Sequence, residues 1–165
     1  MDVTVGMPCK RYLKKYVLWK ENYPENGVLD LSNGGEIPMV LSGLLTGKMT
    51  FYAQGEDSNK LKDYDEELKI RVTLHHYDNQ LLFYTKNGIR FFNKYLWRNF
   101  HETLLMRILW NEPRGVSEKD TILTFMEVIN VTEEDISFDA LKKSSYRLRK
   151  SRNLALFRLV SSKSA

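Results

Sequence analysis

The chain has 165 residues, of which 42% are hydrophobic, 12% aromatic and 28% charged, proportions that fit one globular domain with at most a small appendage and exclude wholesale disorder. Its net charge is +4, and its single cysteine, Cys9, excludes an intramolecular disulfide and a cysteine-based metal cluster. No apolar run approaches the roughly 20 residues of a membrane span, and the opening Met-Asp-Val-Thr-Val-Gly lacks a secretory signal, so a reducing, cytoplasmic setting is expected.

In chain order, residues 9–20 set Tyr12, Leu13, Tyr16, Val17 and Trp19 against five basic residues. The spacing predicts an amphipathic helix with Pro8 near its start. Val28 to Leu31 reads as a short strand, broken by Ser32-Asn33-Gly34-Gly35. Pro38 suits the first turn of a short helix at 39–45, with Gly47 as its stop. Residues 49–53 read as a strand, and 54–67, rich in Asp and Glu, as a mobile acidic loop. Leu68, Ile70, Val72 and Leu74 alternate with polar residues, which predicts a half-buried strand at 68–76. A turn at 77–80 then returns the chain as a second hairpin strand at 81–85, closed by Lys86-Asn87-Gly88.

From Ile89 the period changes to 3.6. Phe92, Tyr95, Leu96, Phe100, Leu104 and Ile108 predict a helix at 91–110, ended by Pro113 and Gly115. Ser117 caps a helix that runs to about Asn130, with Ile122, Phe125, Met126 and Ile129 on one stripe. After a connection at 131–136, Ser137 caps a last helix at 138–152, with Asp139 in its first turn. Residues 161–165 read as a disordered tail. The expected fold is α+β. A small antiparallel sheet and an N-terminal helix occupy 1–90, and a three-helix unit occupies 91–160, the two sharing one core.

Charge is unevenly spread. Residues 1–20 carry +4, 142–165 carry +8 with no acid, and the 121 residues between carry −8. Such asymmetry is a cue for a polyanionic partner. In the last helix Phe138, Leu141, Ser145 and Leu148 form a core-facing stripe. The remaining surface presents Lys142, Lys143, Tyr146, Arg147, Arg149, Lys150 and Arg152.

This layout resembles the three-helix form of helix-turn-helix DNA-binding domains over residues 91–152, with 138–152 in the place of the recognition helix. The connection 131–136 exceeds the three- to four-residue turn of that motif and lacks its glycine. Recognition helices contact bases through their N-terminal residues, but here Asp139 precedes the cations. That favours phosphate contacts over base reading. Lys142, Lys143, Arg147 and Lys150 would neutralise phosphates, Tyr146 would bond a phosphate or pack on a sugar, and Arg149 has a fork able to read guanine.

Other chemistries have weaker support. Glu67-Leu68-Lys69, with Asp30 or Asp63, matches the carboxylate-x-lysine unit of metal-dependent nucleases, but so short a match is common in a charged chain. His75 and His76, adjacent on a strand, would point to opposite faces and not chelate one ion. His101-Glu102 is followed by no second helical histidine. Asn33-Gly34-Gly35 reads as turn geometry, not a nucleotide loop, and Cys9 as a free thiol. Tyr12, Tyr16, Trp19, Tyr95, Trp97 and Trp110 are able to stack bases, but aromatics at helical spacing read as core.

The expectation is therefore a non-enzymatic, duplex DNA-binding accessory or regulatory protein, without metal, cofactor or membrane, acting through its basic C-terminal helix. The alternative is a protein-interaction or assembly module, in which the acidic middle and basic ends drive self-association or partner docking.

Overall fold

A computed structural model describes residues 3–22, 25–46, 64–79 and 83–161. The fold is α+β, in two compact units, Met1–Trp97 and Arg98–Ala165, divided within one long helix.

In the first unit β1 (Thr4–Cys9), β2 (Val28–Asp30) and β4 (Glu66–Arg71) form a sheet with β4 in the centre. β1 pairs with β4 antiparallel, Met7 opposite Leu68 and Cys9 opposite Glu66. β2 pairs with it parallel, Leu29 opposite Ile70. The sheet is thus mixed, not purely antiparallel. Alternation puts Met7, Cys9, Leu29, Leu68 and Ile70 on the buried face, and leaves Glu67 and Lys69 exposed on the other.

Helix α1 (Arg11–Lys20) follows β1 and buries Tyr12, Leu13, Tyr16 and Val17, as its spacing predicts. Its start is tied to β4 by acids. Asp65 accepts a hydrogen bond from the Arg11 backbone N–H at 3.0 Å, where the helix dipole favours negative charge. Glu66 receives the Lys14 ammonium at 2.9 Å, and these lysine contacts hold its carboxyl below the usual range. Asp65 and Glu66 are therefore part of the framework and not of a mobile loop. Residues 54–63 of that expected loop lie outside the described residues, as do the expected strand 49–53 and the expected stop at Gly47.

Helix α2 (Glu36–Leu44) contains Pro38 in its first turn and buries Ile37 and Leu41. It leads into β3 (Leu45–Thr46), which pairs with β5 (Phe83–Tyr84). The expected 68–76/81–85 hairpin does not form. β4 has β1 on one side and β2 on the other, so no edge remains for a third partner. The strand also ends early. Thr73 caps a short helix, α3 (Leu74–Asp78), its hydroxyl accepting from the His76 backbone N–H. His75 and His76 thus sit on a helix, not a strand.

Helix α4 (Lys86–Asn111) starts earlier than its apolar stripe. The Thr85 hydroxyl accepts from the Gly88 backbone N–H at 3.0 Å, so Lys86-Asn87-Gly88 is a capped first turn and not a hairpin closure. A Cβ at Gly88 would come to 3.2 Å from that hydroxyl, a tight contact.

The second unit holds the end of α4, then α5 (Glu118–Val128) and α6 (Phe138–Ser161). Gly115, at φ 77°, ends the 3-10 turn that follows α4, and Asn130, at φ 55°, follows the close of α5. Ser117 caps α5 as expected, accepting from the Asp120 backbone N–H at 3.1 Å, and Ser137 caps α6, accepting from Ala140 N–H at 3.2 Å. The core contains Phe100, Leu104, Leu105, Ile108, Ile122, Phe125, Met126, Ile129 and Leu141. The Phe100 and Phe125 rings lie 5.5 Å apart. Between α5 and α6 run nine residues, Ile129 to Ser137, too many for the tight turn of a helix-turn-helix. Helix α6 continues past 152 to Ser161, and residues 162–165 of the expected tail lie outside the described residues.

Candidate nucleic-acid interface

Helix α6 has a dry side and a wet side because its apolar residues recur at spacings of three and four. Leu141 and Ser145 are buried, and Phe138 and Leu148 are half-buried. His101 of α4 anchors this side. Ser144 Oγ lies 2.8 Å from His101 Nδ1 and donates its own proton to Leu141 O, also at 2.8 Å. The Ser144 hydroxyl thus links the His101 ring of α4 to the backbone of α6. His101 is 2% exposed, and burial pushes its pKa down to about 4, so the ring is neutral at physiological pH.

On the wet side Lys142, Lys143, Tyr146, Arg147 and Lys150 are all exposed. At 3.6 residues per turn they fall within about 140° of arc. Among the described residues none of the four cations enters an ion pair. Tyr146 is 66% exposed in their midst. The two remaining predicted residues are placed differently. Arg149 is half-buried and pairs with Glu112 at 3.3 Å, which engages the fork that would be able to read guanine. Arg152 points a guanidinium nitrogen at Met106 Sδ, 3.6 Å away. The face is thus five exposed residues flanked by two arginines turned toward α4.

The other candidate groups do not assemble. Asp30 lies opposite Arg71 in the sheet and pairs with it at 3.5 Å, while hydrogen bonds from Ser32, then the Arg71 charge, hold its carboxyl low. Glu67 is four positions further along β4, roughly 13 Å away at strand rise, so Asp30 and Glu67 cannot share one metal ion. Asp63 lies outside the described residues. Among the described residues no cluster of His, Cys, Asp and Glu is arranged to hold a metal. His76 is buried with both ring nitrogens engaged, Nε2 by Ser42 Oγ at 2.7 Å and Nδ1 by Thr73 Oγ1 at 2.6 Å. Cys9 is fully buried, and burial raises its thiol pKa to about 12, so it stays protonated despite Lys14. Gly34 and Gly35 take positive φ, as a turn requires.

The aromatic expectation divides. Tyr12 and Tyr16 are buried, but Trp110 is 68% exposed and Trp97 is 41% exposed. No helix among the described residues is long and apolar enough to cross a membrane. No protein-family model, characterised protein or solved structure matches the chain.

Proposed function

We propose that the protein is a non-enzymatic DNA-binding accessory or regulatory factor whose α6 face engages backbone phosphates. One observation carries this reading: Lys142, Lys143, Arg147 and Lys150 stand exposed on one side of a single helix, with no carboxylate partner among the described residues. Concentrated, unneutralised positive charge attracts a polyanion and gains affinity by releasing its counterions. The N-terminal turn of α6 holds Asp139, and Arg149 is engaged with Glu112, so the face suits phosphates better than base edges.

The test is fluorescence anisotropy of a labelled random-sequence duplex at low and near-physiological salt. Neutralising about four phosphates predicts a log–log salt slope of about −3.6. Reversing charge at Lys143, Arg147 and Lys150 should abolish binding while leaving the melting temperature within a few degrees, because all three are exposed. Unchanged affinity in that triple variant would remove the face from consideration. If the face instead docks an acidic protein or a second copy, light scattering will show salt-sensitive association without nucleic-acid affinity.

A further inference from the structure

Trp110 lies on a helix whose opposite side is packed core, yet 68% of its surface is in water. It is not left loose. The Arg114 guanidinium sits 4.2 Å from the ring centroid, and Arg114 also donates to the Trp110 backbone carbonyl at 2.6 Å. One turn earlier on the same face Met106, 55% exposed, receives the Arg152 guanidinium of α6. Two residues beyond the indole, Glu112 holds Arg149. The end of α4 thus presents a broad exposed ring near three arginines, two of them from α6. No interior packing explains an indole there, and exposing it forgoes the burial energy a tryptophan normally contributes.

We propose that Trp110 is a stacking platform for an unpaired base, so that the favoured nucleic acid is single-stranded where it crosses the end of α4. This rests on the phosphate-binding reading of α6 and specifies its ligand. A duplex turns its phosphates outward and keeps its base faces stacked inside, so an indole fixed on a helix reaches a base face only where the strand is open. Single-strand binders combine a cationic track with exposed aromatics in this way. Arg114 holds the ring in place beforehand, which reduces the ordering cost of binding. Arg114 and Arg152, which have no carboxylate partner among the described residues, favour a polyanion over an apolar protein partner at this spot.

The experiment measures binding of the full chain to one labelled mixed-sequence oligonucleotide, alone and annealed to its complement, at two salt concentrations. The single strand should bind more tightly than the duplex. Trp110→Ala should weaken single-strand binding by about fivefold or more, the lower end of one stacked base. The factor should be similar at both salts, because stacking releases no counterions. Trp110→Phe should retain affinity within about twofold, since a ring still stacks. Tryptophan fluorescence should be quenched on binding in the parent chain and much less in Trp110→Phe. Melting curves should be unchanged for both variants. Equal single-strand affinity of Trp110→Ala and the parent chain, with binding still lost on charge reversal of α6, would overturn the stacking role and leave the α6 reading intact. Failure of the parent chain to bind either oligonucleotide would overturn both. Self-association that disappears in Trp110→Ala, without nucleic-acid binding, would assign the indole to a protein interface and overturn the proposal.

Discussion

A histidine as enclosed as His101 folds neutral and resists a second proton, because the imidazolium would lose its water without gaining a counter-charge. Its pKa falls from an unfolded value near 6.5 to about 4 in the folded chain. The unfolded chain therefore binds more protons in that window. The stability is fully present above about pH 6.5 and is lost as pH drops toward 4, by at most about 3 kcal/mol. His76, lowered chiefly by burial and then by His75, acts in the same direction. Urea unfolding at about pH 7 and about pH 4.5 should show the loss. His101→Gln, which cannot titrate, should flatten the dependence, while a variant with an unchanged slope would assign it to other groups. Nothing local in the sequence marks His101 as the anchor of α6, because its partner Ser144 lies 43 positions away. The exposed Trp110 was hidden for the converse reason. A stripe at helical spacing shows which residues share a face, but not whether a neighbour covers it.

The two serine-capped helix starts were the most legible features, since an N-cap is settled within four residues. Ser117 and Ser137 both accept the predicted backbone N–H bonds. Replacing either with alanine should cost about 1 kcal/mol, read from the shift in the denaturation midpoint. Strands were less legible. The alternation through Leu74 overran β4 because Thr73 offers a competing cap, and local periodicity cannot weigh the two. β1 was missed because Gly6 and Pro8 are poor strand residues. Both are accommodated at a sheet edge, and the Glu67 side chain lies over Gly6, where a Cβ would collide with it. The hairpin failed for a topological reason, since β4 had both neighbours supplied by segments far away in sequence.

In the second unit the aromatic pair Phe100 and Phe125 is fully buried, with the Arg107 guanidinium 5.2 Å from the Phe125 centroid. Phe125→Ala should cost about 3–5 kcal/mol and release α6 from its seat, seen as a large drop in melting temperature. Phosphate binding should fall together with stability, whereas the exposed charge variants should lose binding at unchanged melting temperature, because the cations need a folded helix to act together. Composition, charge asymmetry, the 3.6-residue stripes of α1, α5 and α6, and the cationic side of α6 all followed from the sequence, because each depends on residues within a turn or two of one another. Strand order, the parallel pairing of β2 with β4, the separation of Asp30 from Glu67, the enclosure of His101 and the exposure of Trp110 depend on which distant segments meet. Those meetings are chosen by the collective burial of apolar surface, a property of the whole chain that no local pattern contains.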